Sequence, residues 1–228
     1  MSILSTIILS AIQTSTEQTG EISLSFFDLA LKGGWIMIPL FLLSIVAIYI
    51  FSERYLAIRK ASETDANFMN RIREYIHEDK IDSALALCQS KNTPVARMIE
   101  KGIQRIGRPL SDVNTAIENV GNLEISKLEA SLPFLATISG GAPMIGFLGT
   151  VIGMIQAFYD MSMAGNNIDV SLLSNGIYTA MVTTVAGLIV GVFSYFGYNF
   201  LVARVEKVVF DLEAKTSEFM DLLNEPVA

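Results

Sequence analysis

Three stretches of the chain contain no Asp, Glu, Lys, Arg or His: residues 33–52, 130–159 and 170–203, of 20, 30 and 34 residues. A hydrocarbon core ~30 Å thick is crossed by about 20 helical residues. Each stretch is therefore long enough to span a bilayer once. The second and third exceed that need, so their ends are expected to tilt or to run on as helix beyond the lipid. Only 17% of the 228 residues are charged, against ~25% in soluble domains. A soluble globule of this size would lack polar surface. The net charge of −7 is the wrong sign for a chain that must hold phosphates, so no nucleic acid is expected as a partner. A single cysteine, Cys88, excludes a disulfide within the chain and a cysteine-based zinc site. No nucleophile–base pair, metal-ligand cluster or phosphate loop stands out. Neither an enzyme, a metal site nor a cofactor is expected.

The basic residues orient the spans. None of the 16 lies in residues 1–31, and Lys32 abuts the first span. Twelve lie between Arg54 and Lys127, none between Asp160 and Asp169, and three (Arg204, Lys207, Lys215) follow the third span. Basic loops stay in the cytoplasm. The division expected is a periplasmic segment 1–32, a first span 33–52, a cytoplasmic helical domain 53–132, a second span 133–159, a periplasmic link 160–169, a third span 170–203 and a cytoplasmic helical tail 204–228. Ile3, Leu4, Ile7, Ile8, Ala11 and Ile12 repeat with helical spacing, which suits an uncleaved helix lying on the outer membrane surface. A cleavable signal peptide fits less well, because no Lys or Arg precedes the apolar run and no small-residue cleavage site follows it.

The cytoplasmic segment reads as a small helical assembly, with helices expected near residues 62–78, 81–89, 94–106 and 111–132. Pro94 suits a helix start and Ser111 an N-cap; Gly107-Arg108-Pro109 is a break. Ile81, Ala84, Leu85 and Cys88 share one face, which makes Cys88 a core residue. His77 stands among Glu74, Glu78 and Asp79 as a solvated or satisfied histidine rather than a metal ligand. Pro133 is expected to kink a helix where it enters the membrane. Beyond the third span, Val205, Val208, Val209, Leu212 and Phe219 keep a helical period.

Small residues line the second and third spans. Gly146, Gly149, Gly153 and Ala157 recur in one, and Gly176, Ala180, Thr183 or Thr184, Gly187, Gly191 and Ser194 in the other. Such stripes let helices approach closely in lipid, either within one chain or against neighbours around a central opening. Thr179, Thr183 and Thr184 form an expected hydroxyl patch, and Thr150 and Thr184 fall at middle depth. Hydroxyls there can line a wet path without the cost of burying a charge. A proton path also needs an ionisable group, and no span carries an acid or a base. If protons cross here, a second protein brings the acid.

Three runs carry a resemblance: Lys32 through Leu40 with Glu53-Arg54, Leu135 through Met154 with its Ala-Pro-x-x-Gly-x-Leu-Gly-Thr-Val core, and Gly176 through Leu188 followed by Tyr198-Asn199. They are similar to the MotA/TolQ/ExbB family of proton-channel subunits, and to its ExbB branch most closely. The resemblance implies an all-α membrane protein, three transmembrane helices with long cytoplasmic helical extensions, assembled as a homopentameric ring in the cell inner membrane. It implies an ExbD-like dimeric partner inside the ring, whose single spans carry a proton-binding aspartate. It also implies a TonB-like protein that passes force to outer-membrane transporters. Thr150 and Thr184 correspond to the family's pore threonines, with Thr183 and Thr179 beside them on the same path. Gly146, Gly149, Gly153, Gly187, Gly191 and Pro143 are the expected helix-packing positions. A TolQ-like or gliding motor is the alternative within the family, and a non-conducting scaffold the alternative outside it. Thr179 stands where ExbB and TolQ often have a glutamate, and Phe193 where they have a proline.

Overall fold

The computed structural model describes residues 33–63, 65, 67–164 and 170–224. The expected N-terminal surface helix and residues 165–169 of the link lie outside the described residues. Seven helices are described: α1 (Met37–Ala61), α2 (Phe68–His77), α3 (Ile81–Ser90), α4 (Pro94–Ile103), α5 (Leu110–Glu129), α6 (Leu132–Met163) and α7 (Val170–Asn224). Three stretches are long and apolar enough to cross a membrane: Met37–Ala61, Leu110–Met163 and Leu173–Asn224. The chain is a multi-pass, all-helical membrane protein.

Proline placement explains several helix starts. Pro39 falls in the first turn of α1, where its missing N–H would have had no intrahelical partner. Pro94 opens α4, and the Thr93 hydroxyl before it accepts the Ala96 N–H at 3.4 Å. Pro133 sits in the first turn of α6 and so begins a helix rather than kinking one. The expected continuous entry into the membrane is instead a short break at Ala130–Ser131. Ser111 is likewise not an N-cap: α5 starts at Leu110 with Pro109 before it, because the fixed φ of proline ends the preceding turn. The break at Gly107 holds, and Gly107 has a φ of +90°, a conformation that favours glycine. The first helix of the charged layer starts at Phe68, six residues later than expected.

α7 is 55 residues long, about 80 Å of helix. It leaves the apolar layer without interruption and enters the charged one. Leu201, Val205, Val208, Leu212, Phe219 and Leu222 are buried along it. Phe219 is fully enclosed, and both it and Ile117 of α5 close on Gly102 of α4. One continuous core runs from Leu40 in the apolar layer to Phe219 in the charged layer. Phe51 and Tyr55 of α1 stack near Phe193 and Phe200 of α7, and Arg204 lies 5.1 Å from the centroid of the Phe200 ring.

The charged layer is tied to the spans by ions and caps. Arg54 of α1 pairs with Glu53 and donates to the Lys127 carbonyl at 2.7 Å. That carbonyl belongs to the last turn of α5 and lacks a helical partner. Glu124 is 4% exposed and accepts from Arg97 of α4 and from Lys127, the latter at 2.7 Å. Burial alone would push its carboxyl up, but the hydrogen bonds and charges of Arg97 and Lys127 outweigh it and hold it below the usual carboxylate range. Cys88 is buried in the core, as its helical face requires. Burial, with Glu100 nearby, pushes its thiol up to about 12.

Candidate functional site

The site is built on the α6–α7 contact. The small residues of the two spans face each other inside the chain. A methyl at Gly146 would lie 2.8 Å from the Thr183 carbonyl oxygen and 3.1 Å from the Gly187 Cα. One at Gly187 would lie 2.6 Å from the Ala142 carbonyl oxygen, and one at Gly153 would lie 3.0 Å from the Ala180 Cβ. Gly149 faces the Thr183 side chain, with no room for a methyl between them. Pro143 lies within α6 and frees the Ser139 carbonyl from its helical bond. Gly191 packs there, where a methyl would sit 2.5 Å from the Pro143 ring and 3.0 Å from the Ser139 oxygen. Gly140 and Gly141 have nothing near a would-be methyl, so packing within this chain does not need them small.

This close approach sets the threonines. The expected patch of three hydroxyls on α7 divides. Thr183 is fully buried in the contact; its hydroxyl donates to the Ala180 carbonyl at 2.8 Å and lies 3.4 Å from the Gly146 carbonyl. Thr184 is half-buried, and its hydroxyl reaches across to the same Gly146 carbonyl at 3.2 Å. Thr150, one turn beyond Gly146 on α6, is also half-buried and donates to the Phe147 carbonyl at 2.6 Å. Thr179 is half-buried and lies five residues before Thr184, about 140° round the helix. It belongs to a different strip of the surface.

Thr184 is turned away from the start of α1. Val182 faces the start of α1, where a methyl on Gly33 would approach it to 3.5 Å. Thr184, two residues on, is rotated about 160° from it. Within seven residues of Thr150 and Thr184 along α6 and α7, Met144, Phe147, Val151, Met181, Val185 and Leu188 are exposed. The candidate site is two half-exposed hydroxyls, one on each of the packed helices, with exposed apolar residues near them along both. Sequence reasoning had given Gly146 a packing role only. Its carbonyl is also the acceptor that fixes Thr184, and no residue type announces a carbonyl.

A family model described as the MotA/TolQ/ExbB proton channel family matches residues 90–214. An ExbB homolog from Methanothermobacter thermautotrophicus is 29% identical over 177 residues, covering 76% of this chain and 62% of that protein. The biopolymer transport protein ExbB of Aquifex aeolicus is 36% identical over 48% of this chain and 74% of its own length. The Tol-Pal system protein TolQ of Pseudomonas aeruginosa is 26% identical over 84% of this chain and 90% of its own length. The family match takes in α4 to α6 and most of α7, with Thr150, Thr183 and Thr184 inside it. The chain belongs to the MotA/TolQ/ExbB proton channel family, a family of transport proteins and not of enzymes.

Proposed function

We propose that this chain is the ring subunit of a motor driven by the proton-motive force in the inner membrane. Five copies surround the single spans of an ExbD-like dimer. The dimer supplies the proton-carrying aspartate, and a TonB-like protein takes the output to outer-membrane import. The charged layer is cytoplasmic and the 160–169 link periplasmic, as the basic residues direct. Thr150 and Thr184 line the path, and Thr183 fixes the helix contact behind them.

The observation that carries this reading is a half-buried hydroxyl on each of the two packed spans, Thr150 on α6 and Thr184 bonded across to α6 at Gly146, in charge-free windows with no acid or base of their own. Hydroxyls without an acid suit half of a proton path. A TolQ-like output is the second reading, favoured by the Pseudomonas relative, of which the match covers 90%.

The test is proton flux into vesicles holding this chain and its co-purified one-span partner. Thr150→Val and Thr184→Val are each expected to lower flux about tenfold, the worth of one hydrogen bond lost from a transition state, with the complex still assembled. Full flux in both variants contradicts the site.

A further inference from the structure

In the charged layer a groove runs between α5 and α7. Its floor is apolar: Leu212 is buried, and Ile125 and Val209 are half-buried. Its rim is acidic: Glu118 and Glu129 stand on α5, Glu206 and Glu213 on α7, and all four are exposed. Among the described residues that line it there is no Lys, Arg or His. The bases of the two helices are placed elsewhere. Lys127 pairs with Glu124 at 2.7 Å, Lys215 pairs with Glu218 at 2.8 Å, and Arg204 lies over the Phe200 ring; Lys207 does not line the groove. Phe210 stands on the rim at 70% exposure, beyond the end of the last charge-free window. Like charges gathered along one groove repel unless opposite charge meets them, and an exposed ring beside an apolar floor invites cover.

The position of the groove points to its occupant. Leu132 and Val202 line one end, at the edges of two charge-free windows. Met98 and Met220 line the other end, about 27 Å farther along α7. Val202, Glu206 and Glu213 lie 18, 22 and 29 residues beyond Thr184 on one unbroken helix, about five, six and eight turns. They share its side of α7 to within roughly 40°. A span seated beside Thr184 would leave the membrane into this groove.

We propose that the groove holds the cytoplasmic flank of the partner's single span, a basic segment with apolar residues on its inner side. The inference rests on the proposed function for that partner and its place. The charge of the flank follows from topology: the cytoplasmic side of a membrane span carries Lys and Arg, which is what the rim lacks. Complementary charge then fixes the register of the segment, and the apolar floor with Phe210 takes its uncharged side. A second copy of this chain fits less well, because copies around a ring bring one acidic rim to another.

The experiment uses the complex with its one-span partner in membranes. Phe210 is replaced by p-benzoylphenylalanine, and the residues it joins on illumination are identified by mass spectrometry. The expected link is to the partner's cytoplasmic flank. Links to a second copy of this chain, or no link in an assembled complex, overturn the inference. Glu206→Gln combined with Glu213→Gln is expected to slow cross-linking about fivefold, the worth of two exposed ion pairs. About 1 M potassium chloride, which shortens screening to roughly 3 Å, is expected to slow the parent complex to a similar degree, and carries the test should the double variant fail to assemble. A rate that neither change lowers overturns the pairing of acid with base. A complex that conducts protons but gives no link to the flank leaves the proposed function standing and overturns the inference alone. Failure of any one-span protein to co-purify overturns both.

Discussion

The Thr184 hydroxyl of α7 is bonded across the helix pair to the Gly146 carbonyl of α6, 3.2 Å away. The bond depends on the missing side chain at residue 146, because a methyl there would press on the backbone of Thr183, Thr184 and Gly187. Backbone atoms cannot give way as a flexible side chain does. Gly146→Ala and Gly187→Ala are expected to push the helices apart and cost about 1–3 kcal/mol. Thermal unfolding in detergent measures this. Gly140→Ala, where a methyl meets nothing in this chain, is expected to leave the transition unchanged.

Thr183 and Thr184 should separate by phenotype. Thr183 is enclosed against Gly149, so Thr183→Leu overpacks the contact and is expected to lower stability by about 1–3 kcal/mol. Thr184→Ser keeps the hydroxyl and is expected to leave both stability and flux near the parent values. Paired melting and flux measurements on the two variants check the division.

Cys88 offers a probe of the charged layer. It is enclosed and its thiol is held as the unreactive form, with a pKa of about 12. A maleimide is expected to leave the native protein unlabelled at neutral pH and to label it stoichiometrically in denaturant. Rapid labelling under native conditions would contradict the packing around α3.

Glu124 predicts how the layer responds to acid. Its carboxyl lies below the ordinary range in the folded chain, so its contribution is complete above the unfolded value of about 4.3 and is lost as pH falls through the lower folded value. Glu124→Gln removes the charge that holds Arg97 of α4 to α5. It is expected to cost about 1–3 kcal/mol at neutral pH and to flatten the acid side of the stability curve. Melting temperature against pH for the two proteins reads both effects.

The spans were legible because charge is so costly in lipid that its absence is nearly a map. Pro94 and Gly107 marked a helix start and a break for local backbone reasons that tertiary structure did not override. The faces of the spans were harder to read. In a window that is apolar all round, hydropathy has no polar side against which to set a period. That is why Thr179, Thr183 and Thr184 looked like one patch. The small-residue line held the missing information: Gly176, Ala180, Thr183, Gly187, Gly191 and Ser194 follow one strip, and the four from Ala180 to Gly191 are buried on it with Ser194. That strip takes Thr183 into the contact and leaves Thr184 outside it. Two further features had no sequence signal. The Gly146 carbonyl acts as an acceptor through backbone common to every residue, and Arg54 caps the end of α5 from 73 positions away.

The proposed division of labour makes this chain half of a proton path and gives the acid to a second protein. The direct measurement is proton uptake into potassium-loaded vesicles, with valinomycin setting the potential. Vesicles holding this chain alone are compared with vesicles holding the complex with its one-span partner. Uptake is expected only with the complex, and is expected to be lost when the partner's membrane acid is changed to its amide. Uptake by this chain alone, at the rate of the complex, would contradict it.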